Sequence, residues 1–144
     1  MGRFGSRGGS ATEAEKDRCL SGITLDAGGL IALDRDDRRV IALLSRAAEV
    51  GARVTIPATA LAQAMRHPAK QARLSRLIRQ PSSQLVALDG PDATSVGVLL
   101  AASRTSDIAD AHVVICARRN GEQIVTSDPE DLKRLDPNAS LIVV

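Results

Sequence analysis

Tryptophan and tyrosine are absent from this 144-residue chain, and Phe4 is its only aromatic residue. Proteins that grip single strands by stacking successive bases need a platform of rings, so the composition argues against that mode of nucleic-acid recognition. Cysteine is nearly as scarce. Cys19 and Cys116 lie far apart with no metal-type spacing between them, and Cys116 falls in a helical apolar pattern, where a buried free thiol is the plain reading. No apolar run approaches the roughly eighteen residues that a membrane span needs. The N-terminus is Gly-rich and basic without an apolar core segment, which argues against a secretory signal and points by default to the cytoplasm.

What is present suits one domain with a single core: hydrophobic residues make up 44% of the chain. The net charge is only +2, but it is unevenly spread. Between Val50 and Leu88 there is no acidic residue, while Arg53, Arg66, Lys70, Arg73, Arg76 and Arg79 all fall there. Between Asp107 and Asp136 the balance reverses, with Asp107, Asp110, Glu122, Asp128, Glu130, Asp131 and Asp136. A basic middle and an acidic last third suggest an anionic partner presented to a carboxylate site.

Residues 1–21 are Gly/Ser-rich and polar and predict a disordered extension, with the folded domain over 22–144. Ile23-Thr24-Leu25 reads as a strand ending on Asp26, and Ala27-Gly28-Gly29 as a turn into a short helix. Val40, Ile41, Leu43, Leu44 and Ala47 recur at helical spacing until Gly51. Val54-Thr55-Ile56, Leu85 to Leu88, Ile124-Val125-Thr126 and Leu141 to Val144 complete the strands. Helices are predicted from Pro57 to His67, over 69–79, from Pro91, from Asp107 to Arg118 behind a Thr105-Ser106 cap, and from Pro129 to Leu135. Strands separated by helices predict an α/β fold with a mainly parallel sheet.

Two acids end strands, Asp26 and Asp128. In open α/β sheets ligands bind beyond the carboxyl ends of strands, at the point where strand order reverses. Asp107 and Asp110, three residues apart, share one helical face. A carboxylate at Asp110, inside Ile-Ala-Asp-Ala-His-Val-Val, is expensive to bury without a partner. Four acids from three segments are what a Mg²⁺ or Mn²⁺ site needs, since such hard cations take oxygen ligands. Each acid also has a simpler role: Asp26 can start a turn, Asp107 can complement a helix dipole, and Asp128 can cap the helix at Pro129. Glu130, Asp131 and Asp136 read as solvated charges, and His112 as a packed residue.

At these residues the chain resembles the PIN domain, and in particular the VapC toxins of toxin–antitoxin modules. The resemblance rests on four ordered blocks: Ile23-Thr24-Leu25-Asp26, Ile56-Pro57-Ala58, Asp110-Ala111-His112-Val113-Val114, and Ile124-Val125-Thr126-Ser127-Asp128. It implies a three-layer α/β/α fold, catalytic and metal-site roles for Asp26, Asp110 and Asp128, and an auxiliary role for Thr126 or Ser127. It also implies Mg²⁺-dependent cleavage of RNA, an antitoxin partner covering the site, and a homodimer. The family's usual glutamate falls at Gln63, which keeps an oxygen but loses the charge; Asp107 can replace it in part as a metal ligand. Lys70, Arg73, Arg76 and Arg79 line one side of a helix and, with Arg66, can contact RNA phosphates; a solvated helix face is the alternative. Two other readings stay open. One is a weakened PIN module that works by binding protein or RNA, for which Gln63 is the evidence. The other is a receiver-like α/β domain, disfavoured because no lysine ends a late strand.

Overall fold

The computed structural model describes residues 22–144; the extension expected over 1–21, with Phe4 and Cys19, lies outside the described residues. In chain order the elements are β1 (Gly22–Leu25), α1 (Ala27–Asp34), α2 (Arg38–Glu49), β2 (Arg53–Pro57), α3 (Ala58–Ala64), α4 (Ala72–Arg79), β3 (Ser83–Val86), α5 (Gly90–Ser103), α6 (Ile108–Asn120), β4 (Gln123–Thr126), α7 (Pro129–Leu135) and β5 (Leu141–Val143). The strands form one sheet in the order β3-β2-β1-β4-β5, and every pair in it is parallel.

Ile23, Thr24 and Leu25 are all fully buried, as the middle strand of a parallel sheet covered on both faces requires. Helix α6 packs across β1, β2 and β4, with α5 and α7 against it, while α1 packs on α2, α3, α4 and β4. The result is a three-layer α/β/α sandwich. Ala111, Val113, Val114 and Cys116 are buried around α6, so this helix has no single wet face and forms part of the core.

The strand order creates a crevice at the carboxyl ends of two strands. The chain moves outward from β1 to β2 to β3, then returns to place β4 on the other side of β1. The carboxyl ends of β1 and β4 therefore flank the point where strand order reverses, where ligands of open α/β sheets sit. Asp26 directly follows β1, and Ser127 and Asp128 directly follow β4.

Three local expectations change. Ala27-Gly28-Gly29 is the first turn of α1, not a loop before it. Its glycines serve close approach: a Cβ on Gly29 would lie 2.7 Å from the Val125 carbonyl oxygen, and one on Gly28 2.3 Å from Ser127 Oγ. Strand β3 spans Ser83–Val86 rather than 85–88, because β2 pairs with it from Val54–Ser83 onward; at the sheet edge polar Ser83 and Gln84 are tolerated and Leu85 stays 48% exposed. Finally, α4 starts at Ala72, since Pro68–Lys70 winds as a separate 3-10 turn. Buried Gln71 ties that segment down by accepting from the Arg66 and His67 amides and donating to the Ala64 carbonyl.

Gly29 gives a test of sign. Helix propensity alone would make Gly29→Ala stabilising by about 1 kcal/mol. The approach to Val125 instead predicts a loss of about 1–3 kcal/mol by overpacking, read from urea unfolding midpoints. A more stable variant would contradict the described contact.

Candidate metal centre

Asp26 enters the crevice with its backbone amide bonded to the Val125 carbonyl at 3.2 Å. Its Oδ1 accepts from the Gly29 amide at 2.7 Å, so one carboxylate oxygen caps α1. The side chain is buried, and burial pushes its pKa up; hydrogen bonds from Thr126 and the α1 amides pull it down, and the Asp128 charge pushes it up further.

Thr126, fully buried at the end of β4, joins the two strand-end acids. Its Oγ1 accepts from the Asp128 amide at 2.9 Å, while its hydroxyl hydrogen-bonds the Asp26 carboxylate. A small hydroxyl there can satisfy both neighbours at once. Asp128 occupies the cap position of α7, yet its carboxylate makes no capping bond and is exposed to solvent. Ser127 is exposed beside it, with its Oγ in the space that a Gly28 side chain would take.

Asp110 stands in the first turn of α6, half-buried. Its pKa is raised to about 7, first by burial and then by the charges of Asp107, Asp26, Asp131 and Asp128. Every acid predicted from the sequence for the site thus acts on this one carboxyl. Asp107 is the true cap of α6, replacing the expected Thr105-Ser106 cap, and its Oδ1 accepts from the Asp110 amide at 2.9 Å.

Asp131 is the acid that sequence reasoning set aside as a surface charge. Its carboxyl lies against that of Asp128, and that contact, with the Asp128 charge, raises its pKa. The signal for it was spacing, because Asp128 and Asp131 lie three residues apart across the start of a helix. Asp107, Asp110 and Asp131 line a cleft of about 320 Å³ together with Arg104 and Arg134. Those two arginines were also not singled out from the sequence. Gln63 lines a neighbouring depression with Thr59 and Asp107, and the lining of that depression does not include Asp26, Asp110 or Asp128.

The basic middle divides. Arg53 pairs with buried Glu122 at 3.0 Å, and Arg73 with Asp36 at 3.1 Å, a counter-charge not foreseen from sequence. Arg66 binds the carbonyls of Ala62 and Met65. Lys70, Arg76 and Arg79 stand exposed along the 3-10 turn and α4.

Chemically, the crevice is a set of oxygen donors from three separate segments, with no imidazole or thiol contributed. Carboxylates crowded together favour protonation or a hard cation, and several oxygens at a water-accessible position suit Mg²⁺ or Mn²⁺. Asp26, Asp110, Asp128 and Asp131 are the groups that can hold such an ion.

Neither a protein-family model nor a curated protein sequence matches the chain. Its structure is similar to one chain of the crystal structure of VapBC2 from Rickettsia felis bound to a DNA fragment from their promoter. The TM-score is 0.61 at 15% identity, over 85% of this chain and 98% of that one. The likeness establishes the fold, a PIN-like α/β/α sandwich. Among the described residues, no helix is long and apolar enough to cross a membrane.

The raised Asp110 pKa carries a stability prediction. A carboxyl titrating higher in the folded state stabilises the fold fully below its unfolded pKa, and that contribution is lost as pH rises through about 7. In metal-free buffer, Asp110→Asn should therefore match the parent protein at pH 4 and exceed it at pH 8. After discounting for solvent screening of a half-exposed group, the gain should be about 1–2 kcal/mol. Equal unfolding midpoints at pH 8 would remove the proposed crowding.

Proposed function

We propose that this protein is a Mg²⁺- or Mn²⁺-dependent endoribonuclease, the toxin of a toxin–antitoxin pair. The observation that carries the reading is the gathering of Asp26, Asp128 and Asp131 around half-buried Asp110 at the reversal of strand order. The fold shared with a VapBC2 chain supports it.

Asp26, Asp110 and Asp128 would hold the cation, with Asp131 and Asp107 as further oxygens at the edge. A bound ion supplies an acidified water and stabilises charge on the scissile phosphate. The chain's own residues prepare for this. Thr126 fixes the spacing of the two strand-end acids, and the α1 amides orient Asp26. Asp110 would give up the proton that burial and its acidic neighbours otherwise favour. Arg104 and Arg134, at the wall of the acidic cleft, are placed to contact substrate phosphates; exposed Lys70, Arg76 and Arg79 extend basic character along α4. An antitoxin would cover the crevice with a basic side chain, and the protein would form a homodimer.

A weakened, binding-only module is the second reading, and Gln63 favours it. An amide lies beside Thr59 and Asp107 where the resemblance implies a carboxylate.

Two outcomes are expected. Purified protein incubated with mixed RNA should cleave it with Mg²⁺ or Mn²⁺ and stop on chelation, and Asp110→Asn should reduce the rate at least a hundredfold, about 2.7 kcal/mol, while remaining folded. Wild-type cleavage by a folded Asp110→Asn protein would remove the metal-site assignment. Gln63→Glu should raise Mg²⁺ affinity or turnover roughly tenfold, about 1.4 kcal/mol. Superimposable Mg²⁺ titrations of the two proteins would place Gln63 outside the site.

A further inference from the structure

Between α5 and α6 lies a second group of donor atoms that the proposed nuclease chemistry does not use. Asp92 stands in the first turn of α5, and His112 and Cys116 lie one turn apart on α6. Asp92 is 5% exposed, His112 0% and Cys116 1%. One donor atom from each lies within 4.8 Å of the others. The sequence concealed this group, because attention to Cys–Cys spacing misses a His and a Cys four apart whose third partner comes from another helix.

Two of the donors lack a hydrogen-bond partner. Asp92 Oδ2 and His112 Nε2 are buried without a hydrogen-bond partner among the described residues and face each other at 3.7 Å; burial holds the His112 pKa down, against the Asp92 charge and the Ala87 backbone. That separation is too long for a hydrogen bond. It is also too short to seat a bridging water, whose two bonds of about 2.8 Å each would hold the atoms farther apart. Leaving two such atoms unsatisfied is costly, so the arrangement calls for an occupant. A nitrogen and an oxygen bound to one tetrahedral ion at about 2.0–2.2 Å sit about 3.3–3.5 Å apart, so the 3.7 Å between Asp92 Oδ2 and His112 Nε2 has only to close slightly around an ion.

The surroundings fit a ligand set. His112 Nδ1 lies 2.7 Å from Thr59 Oγ1. With the ring proton on Nδ1, donated to Thr59, the Nε2 lone pair points toward Asp92, which is how a ligating histidine is usually oriented by an outer partner. Arg119 holds the other Asp92 oxygen, Oδ1, leaving Oδ2 for the ion. We propose that Asp92 Oδ2, His112 Nε2 and Cys116 Sγ form a second metal site, selective for a zinc-class ion, that clamps α5 to α6. A mixed O, N and S donor set suits a zinc-class ion, and thiolate disfavours Mg²⁺. Burial pushes the free Cys116 thiol up to about 11, so the ion displaces the thiol proton on binding. The clamp would brace the helix that carries Asp110 without touching the crevice.

Co²⁺ is the probe, because it reports its ligands by colour. The full chain carrying Cys19→Ser, which removes the other thiol, is titrated with Co²⁺. A thiolate-to-cobalt charge-transfer band should reach full intensity at one equivalent, be bleached by equimolar Zn²⁺, and be unaffected by millimolar Mg²⁺. Adding Cys116→Ala should abolish the band, and Asp110→Asn should leave it unchanged. Thr59→Val should weaken Co²⁺ binding about tenfold while keeping the band. Zn²⁺ should also raise the melting temperature of the Cys19→Ser protein but not of its Cys116→Ala derivative. Absence of a thiolate band in folded Cys19→Ser protein would overturn the proposal, even if Cys116→Ala failed to fold. So would a band that survives Cys116→Ala.

Discussion

Gly29 has no Cβ, and the backbone of β4 occupies the space one would take, with the Val125 carbonyl only 2.7 Å from that position. This contact sets the first turn of α1 against the carboxyl end of β4. The geometry of the crevice follows from it. Asp26 caps α1 through Gly29, its amide bonds Val125, and Thr126 reaches both Asp26 and Asp128. A larger residue at Gly29 would push against the β4 backbone and separate the two strand ends, and no side-chain adjustment at Asp26 could restore the spacing.

What the backbone brings together, electrostatics opposes. Asp110 receives the field of four other carboxylates while half-buried, and its raised pKa records the cost. Folding for stability alone would not gather these groups, whereas selection for function can keep them together at a cost in stability. Where a charge serves the fold, this chain pairs it: Arg53 with buried Glu122, and Arg118 with Asp136 at 3.0 Å. Among the described residues, the acids of the crevice lack such partners apart from the outlying pair of Arg134 with Asp131 at 3.6 Å.

The layered fold was legible in the sequence because its signals are local. Alternating apolar strands and periodic helices fixed the class, and the strand-end positions of Asp26 and Asp128 made the crevice foreseeable. Features that depend on contact between distant segments were not legible. The turn assigned to Ala27–Gly29 proved to be a helix, because glycine serves turns and close approaches alike, and the distinction lies in Val125, far along the chain. Asp131 looked like any charge in a first helical turn until Asp128 was placed beside it. Asp92, His112 and Cys116 each had an ordinary packing explanation alone, and only the α5–α6 interface makes them a group. The basic stripe was visible, but the partners of Arg53 and Arg73 were not.

Binding of a hard cation at the junction of β1, β4 and α6 is the claim on which the functional account rests. It is tested most directly by paramagnetic broadening in a ¹⁵N-resolved spectrum of the protein titrated with substoichiometric Mn²⁺. Amide signals from Asp26 to Gly29, Ser127 and Asp128, and Asp107 to Asp110 should vanish first and return when Mg²⁺ competes. Uniform broadening, or selective loss centred on any other part of the molecule, would contradict the account.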